Sequence, residues 1–500
     1  MKTKINSMYI YMLSIILLGS CSLDEEPYGF YSEDNFYKTA EDATSSLLYA
    51  YNAATHNEYA RSIFYINELA TESIDVKGEE GFGAQEINKW DYNQFKQNEQ
   101  LELFYKYSYI GINRANAVIE NVVGSNINED VKNKLVGEAL FLRAWNYFSL
   151  ATMFGRVPIH KEMIKTADQA QAPLVENLNE LYSFIIQDAS RAQEYLSINR
   201  SVGRADKVAA QALLAKVYLT MASAKESNVS LYRDIPRDVK TMYDSAAYWS
   251  SKVLTEQSTY KFDENLLNIY DVKHPDGPEH IFLLSLDKSG IAEGNFSSID
   301  KLFMPYKDGA MLYFKNLDGT YTGATNRGWG VFKITEQFAN TFADNDLRKS
   351  TLMSKGFYKD ANGTNWQDND YWLTRKFIDP DFVGEKSSVK PFLIRFSEVA
   401  LIYAEAVGPT PEGYNWLNKI RNRAGLSAAT AGMSVSNFRN AVVQERYWEL
   451  AYEGKHLLDL RRKGRVTQTN PHALSAGVTE EQASFYPIPQ KEIDLNSLIH

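Results

Sequence analysis

Cysteine is nearly absent: the 500 residues contain one, Cys21. A lone thiol excludes disulfides within the chain, cysteine-ligated zinc and iron–sulfur clusters. Histidine is also scarce, with seven residues scattered and no metal-ligand spacing. There is no H-E-x-x-H, no G-x-S-x-G and no phosphate loop, so the common hydrolase and nucleotide-binding signatures are missing. Asp344-Asn345-Asp346 and Asp368-Asn369-Asp370 have the acidity for calcium, but neither continues with the Gly and Glu of an EF-hand loop. Both are expected to be solvated loop acids, no cofactor is implied, and a structural calcium has no support. A net charge of −10 disfavours a protein that tracks nucleic-acid phosphates. Beyond residue 20 no stretch is long and apolar enough to span a bilayer.

What is abundant is aromatic. Tyr 32, Phe 25 and Trp 8 make 13% of the chain, so many rings must sit in a core or on a ligand surface. The composition, 44% hydrophobic and 23% charged, is that of a folded protein and excludes collagen, coiled-coil fibre and general disorder.

The N-terminus has the form of an export signal: Lys2 and Lys4, then an apolar run over 8–18 too short for a membrane span. It ends Leu18-Gly19-Ser20-Cys21, which resembles a bacterial lipobox, with Cys21 as the acceptor of lipid. Residues 1–20 are then signal peptide and 21–27 a lipidated acidic tether, Ser22-Leu23-Asp24-Glu25-Glu26-Pro27. In lipoproteins of the Bacteroidetes such an acidic stretch is similar to a surface-export signal. Cleavage removes two lysines and takes the net charge from −10 to −12.

Downstream, apolar residues recur at helical spacing over 41–52, 101–122, 131–154 and 178–196. Gly155 should stop the third of these, with Val157-Pro158 leaving extended. Asp206 should cap an alanine-rich helix to about Ala222, whose small side chains admit close neighbours. Helices are also expected over 243–254, 396–407, 414–424 and 435–462. Pairs of this size with short loops suggest stacked helix-turn-helix units of tetratricopeptide type, although no fixed period stands out. The middle differs. Ile281-Phe282-Leu283-Leu284 reads as a short buried strand, and Leu312-Tyr313-Phe314 with Thr320-Tyr321-Thr322 as a hairpin around Asp318-Gly319. The rest of 290–381 is rich in Gly, Asn, Asp and aromatics, and a long irregular stretch within a helical protein is usually functional.

Six blocks, in order, resemble the SusD/RagB family of outer-membrane nutrient-binding lipoproteins. They are Phe141-Leu142-Arg143-Ala144-Trp145 through Val157-Pro158; Gly203-Arg204-Ala205; Ile394-Arg395-Phe396-Ser397-Glu398 through Tyr403-Ala404-Glu405-Ala406; Leu417 through Arg421-Asn422-Arg423-Ala424-Gly425-Leu426; Glu445-Arg446 through Glu453-Gly454 and Asp459-Leu460-Arg461-Arg462; and Pro487-Ile488-Pro489. The loop 408–413 is shorter than family members often carry. The resemblance implies an all-α fold of tetratricopeptide-like helix pairs, with irregular loop and short β-hairpin excursions forming the ligand face. It implies an N-terminal helical region over 28–230 and a C-terminal region over 231–500, with the loop-rich face at 270–390 and closing helices at 391–465, packed as one unit. It also implies no catalysis, a SusC-like TonB-dependent transporter as partner, and glycans as cargo. The alternatives are peptides or glycoprotein fragments on the same scaffold and, behind those, a lipid-anchored glycosidase, which needs only two carboxylates.

The motif residues read as structural. Arg143 lies in an apolar helix and needs a carboxylate, while Glu445, Glu449 and Glu453 share i, i+4 spacing; a core ion-pair network accounts for them better than a carboxylate site. Arg143→Ala should lower the melting temperature without altering ligand preference. Ligand residues are expected on loops instead. Trp90 is first, flanked by polar groups. Trp329 follows, between two glycines that would let a ligand approach. Then come Tyr321 beside the hairpin turn and Phe296, with Trp366 and Trp372 as further candidates.

Overall fold

The computed structural model describes residues 37–499, apart from 79, 80, 82, 290–294 and 310. Cys21, the signal and the acidic tether lie outside the described residues. Eleven helices build the scaffold: α1 (Ala40–Thr55), α2 (Asn57–Glu68), α3 (Glu99–Val123), α4 (Glu129–Phe154), α5 (Leu178–Tyr195), α6 (Lys207–Glu226), α7 (Val239–Thr255), α8 (Phe396–Val407), α9 (Pro411–Arg423), α10 (Val435–Glu449) and α11 (His456–Arg462). Side-chain caps start most of them. Thr39 and Asp42 form a reciprocal capping box on α1, and Asn98, Asn128, Asn177, Asp206 and Asp238 cap α3 to α7.

From α3 onward each helix packs on the next, through α7, which packs on α8, which in turn packs on α9 and α10. The fold is therefore the expected helical stack. Helix α4 is buried on nearly every side and ends at Gly155, whose φ of 73° terminates it as the sequence suggests. In α6, Ala209, Ala210, Ala212 and Ala215 are fully buried, and their size lets α5 and α7 approach from both sides. One hydrophobic core runs from Ala43 to Tyr486 and draws on both halves of the chain. Among the described residues no helix is long and apolar enough to cross a membrane.

Two segments depart from the sequence reading. The helix expected over 435–462 is two helices: α10 ends at Glu449, and Tyr452 and Gly454, with φ of 66° and 68°, turn the chain before α11. The turn is held by the Gly454 N–H, which donates to the Glu68 carboxylate at 2.5 Å. The stretch expected to be largely irregular carries an antiparallel sheet. Its strands are β1 (Ile74–Val76), β3 (Leu312–Lys315), β4 (Tyr321–Ala324), β5 (Phe332–Ile334), β6 (Met353–Tyr358) and β7 (Trp366–Thr374), in the order β1-β5-β7-β6-β3-β4. The hairpin is β3–β4, with Leu312 opposite Ala324. The buried strand is β2 (His280–Leu283), paired with β8 (Phe392–Arg395).

Buried ion pairs tie the parts together. Arg143 of α4 makes a bidentate pair with Asp188 of α5 at 2.7 and 2.9 Å and donates to Asn116 of α3. A larger network joins the sheet to the closing helices. Arg395, 1% exposed, meets Glu453 and Glu449, each at 2.8 Å, and Glu279 at 3.1 Å. Arg423 meets Glu279 and Glu449, Arg348 meets Asp346, Glu445 and Glu449, Lys376 meets Glu453, and Arg421 meets Glu445. Five cations face five carboxylates, so the buried charge is balanced. Burial alone would raise the Glu453 carboxyl, but Arg395 and Lys376 outweigh it and hold its pKa at about 2. The motif glutamates thus hold the scaffold together, with Glu453 supplied by the turn rather than by the helix.

Candidate functional site

The short helix Ile299–Phe303 fixes two loops. The Lys301 carbonyl accepts from the Trp329 N–H at 2.7 Å, and the Met304 carbonyl accepts from the Gly330 N–H at 2.9 Å. The Lys301 ammonium, fully buried, donates to the carbonyls of Arg327 and Gly384 at 3.2 Å each and to the Thr325 hydroxyl at 3.3 Å. Every anchor but one is a backbone oxygen, so the loops keep their shape whichever side chains they carry outward.

Trp329 is half-buried. Its inner face packs on the core, and the Arg61 guanidinium stands 5.9 Å from its ring. The neighbouring glycines are there for packing and not for ligand approach. A Cβ at Gly328 would lie 1.8 Å from the Met304 carbonyl oxygen, and Gly330 has φ of 61° against the Tyr371 hydroxyl. Beside this loop runs a second one, paired with it through a β-bridge between Tyr306 and Arg327 and through Asn326, whose side chain donates to the carbonyls of Lys307 and Gly309. Tyr306 is 64% exposed. Trp329 and Tyr306 therefore sit on adjacent, mutually braced segments with Arg61 and Arg327 alongside, an arrangement suited to stacking on flat apolar faces while donating hydrogen bonds. Tyr306 is absent from the sequence candidates.

Trp90 is a correction. It is 1% exposed, its indole N–H donates to the Ala70 carbonyl at 3.1 Å, and its ring stacks on Tyr486 and meets Phe95. Its polar neighbour Asn88 is buried too and donates to the carbonyls of Leu69 and Ile74. Lys89 and Asp91 on either side are exposed, but the indole itself turns inward, so the ring has no face to offer a ligand.

The remaining candidates separate. Phe296 is half-buried under the Lys386 ammonium, 5.2 Å from its ring, on a segment bridged through Ser297 and Ser387. Because Lys301 also holds Gly384, this segment borders the Trp329 loop. Tyr321 lies elsewhere, on β4, edge-on to Tyr358, which meets the 48%-exposed Trp366. Trp366 and Trp372 belong to β7, where Trp372 donates to Glu336 and Trp366 to Asp368.

Asp346, expected on a solvated loop, is 1% exposed and pairs with Arg348 while capping the helix Leu347–Leu352. Among the described residues no group of three or more His, Cys, Asp or Glu side chains is gathered for a metal ion. Burial pushes the carboxyls of Glu68 and Asp300 up to about 7, a value suited to a general acid, yet both are sealed in the interior.

A family model described as the SusD family matches residues 315–500, and one described as "Starch-binding associating with outer membrane" matches residues 23–219. A SusD-like protein of Formosa agariphila is 23% identical over 97% of this chain and 96% of its own length. A SusD homolog of Bacteroides thetaiotaomicron superposes with a TM-score of 0.75 at 20% identity, covering 94% of this chain and 98% of that one. A laminarin binding SusD-like protein superposes at 0.73, also at 20% identity, covering 93% and 99%. The architecture is that of a helical stack bearing a small sheet and braced aromatic loops. The chain belongs to the SusD family.

Proposed function

We propose that the protein is a surface lipoprotein of the outer membrane, anchored through Cys21, that captures glycans on the Trp329–Tyr306 face and passes them to a SusC-like TonB-dependent transporter. The observation that carries this reading is the exposed Tyr306 and the half-buried Trp329 on paired loops braced from beneath by Lys301. Rings cover the apolar C–H face of a sugar, and Arg61, Arg327 and Asn326 reach its hydroxyls. Each contact is weak, so retention comes from several contacts on one chain and many copies on one cell. The family and the laminarin-binding structural neighbour support carbohydrate as the cargo. The lipobox and the outer-membrane wording of the family model support the location. The burial of Glu68 and Asp300, the two carboxyls raised to about 7, supports binding rather than turnover.

The test is affinity electrophoresis of the soluble chain, residues 22–500, through gels holding a panel of neutral and acidic polysaccharides, with calorimetry against peptides as the second arm. Retardation by at least one polysaccharide is expected. Binding of peptides alone would contradict the reading, as would reducing ends released over hours by purified protein.

A further inference from the structure

Arg375 stands apart from most buried arginines in the molecule. Arg143, Arg348, Arg395, Arg423, Arg446 and Arg462 each meet at least one carboxylate. Arg375 is 6% exposed and among the described residues meets none. Its Nη1 donates to the Lys315 carbonyl at 2.7 Å and its Nη2 to Asn316 Oδ1 at 2.6 Å, while Nε has no partner. Burial lowers its pKa to about 10, with no opposing charge to restore it. Arg461 is the other buried arginine without a carboxylate; its Nη2 has no partner either, but its Nε and Nη1 bond the carbonyls of Ala483, Thr152 and Met153 and its guanidinium lies over the Tyr486 ring.

Arg375, by contrast, lines a cavity of 440 Å³ between the 265–273 segment and the tip of the β3–β4 hairpin. Asn265 and Asn268 add side-chain amides to its wall, and Lys273, paired with Asp381 at 3.2 Å, stands at its edge. The two acids there are engaged in their own turns: Asp271 accepts from His274 and the Lys273 N–H, and Asp318 from the hydroxyl and N–H of Thr320. A buried guanidinium with five N–H groups, two of them in hydrogen bonds to Lys315 and Asn316, and no counter-charge is complementary to an anion. We propose that this cavity is an anion subsite, separate from the Trp329–Tyr306 face, that takes the carboxylate or sulfate ester of an acidic polysaccharide. The preference for an anion stands on Arg375; that a glycan carries the anion rests on the function proposed above.

The test uses thermal unfolding of the chain 22–500 in sodium sulfate against sodium chloride of equal ionic strength, and in D-glucuronate against glucose. Wild type should melt higher in at least one of the two anions, and the larger shift assigns ester or carboxylate. Asn316→Asp places a carboxylate 2.6 Å from Nη2 without changing side-chain size. It should raise the melting temperature in chloride and abolish the anion increment, with Arg375→Gln abolishing it as well. The increment is the saturable part of the shift, because the general stabilising effect of sulfate grows steadily with concentration and persists in both variants. An equal response of wild type to each anion and its control would overturn the proposal, as would an increment that survives Asn316→Asp. If polysaccharide retention fails while the increment remains, the glycan reading falls and the anion site stands. If retention on neutral glycan survives and the increment is missing, the reverse holds.

Discussion

Two tryptophans, Trp90 and Trp329, show how scaffold and face differ. Trp90, between Lys89 and Asp91, and Trp329, between two glycines, both sit in irregular segments with fixed backbones. Trp90 is enclosed by Tyr486, Phe95 and the Ala70 carbonyl, whereas Trp329 is only partly buried, with Arg61 5.9 Å from its ring and the exposed Tyr306 on the segment paired with its loop. The scaffold closes on its rings and takes the nearby Asn88 inside to bond the carbonyls of Leu69 and Ile74. The face braces its backbone from below through Lys301 and leaves Tyr306 exposed and Trp329 partly so. Rigidity is common to both; what differs is where the hydrogen bonds are spent.

The contrast can be broken first on the scaffold side. Arg395→Ala should leave Glu449, Glu453 and Glu279 facing too little positive charge and cost about 5 kcal/mol in urea unfolding, the upper end for breaking a buried pair. A loss below about 1 kcal/mol would mean that the network contributes specificity and little stability. Trp90→Ala should cost about 3–5 kcal/mol through the cavity left among Tyr486 and Phe95. It should leave glycan affinity per folded molecule unchanged, and lost affinity at unaltered stability would put Trp90 back among the ligand residues.

Acid titration sharpens the same comparison at smaller amplitude. Glu453, held at about 2 when folded against 4.5 unfolded, contributes stability above pH 4.5 that is lost as the pH falls toward 2. Glu68 and Asp300, raised by burial to about 7, do the opposite: the folded state keeps protons that the unfolded chain has released, so stability declines as the pH climbs from about 4 to 7. Unfolding free energy should therefore peak at about pH 4 to 5. A steady rise to pH 7 would show that these two carboxyls are ionised and compensated in the folded protein.

The scaffold was largely legible in the sequence because burial repeats. Leu181, Ile185, Ala189 and Ala192 mark the inner face of α5 at helical spacing, and Asp206 announces its cap. Arg143, in an apolar run, required the carboxylate that Asp188 supplies. The break at Tyr452 was hidden, since Glu453 keeps the i, i+4 spacing beyond the end of the helix. The sheet was hidden for another reason: β5 is three residues long, its partner β1 lies some 250 residues earlier, and no local alternation announces such a pair. The face was half legible. Trp329 stood out between its glycines, though those glycines proved to serve contact with Met304 and Tyr371. Tyr306 follows Pro305 in an aperiodic stretch, and only its bridge to Arg327 places it beside Trp329. Tyr321, one residue past the hairpin turn, belongs to another surface because the strand carries it toward Tyr358.

Calorimetric titration of wild type, Trp329→Ala and Tyr306→Ala with a polysaccharide that retards the wild type tests the capture face most directly. Each substitution should weaken binding about tenfold or more, roughly 1.4 kcal/mol, with thermal unfolding little changed. Equal affinity in all three proteins would contradict the assignment of this face.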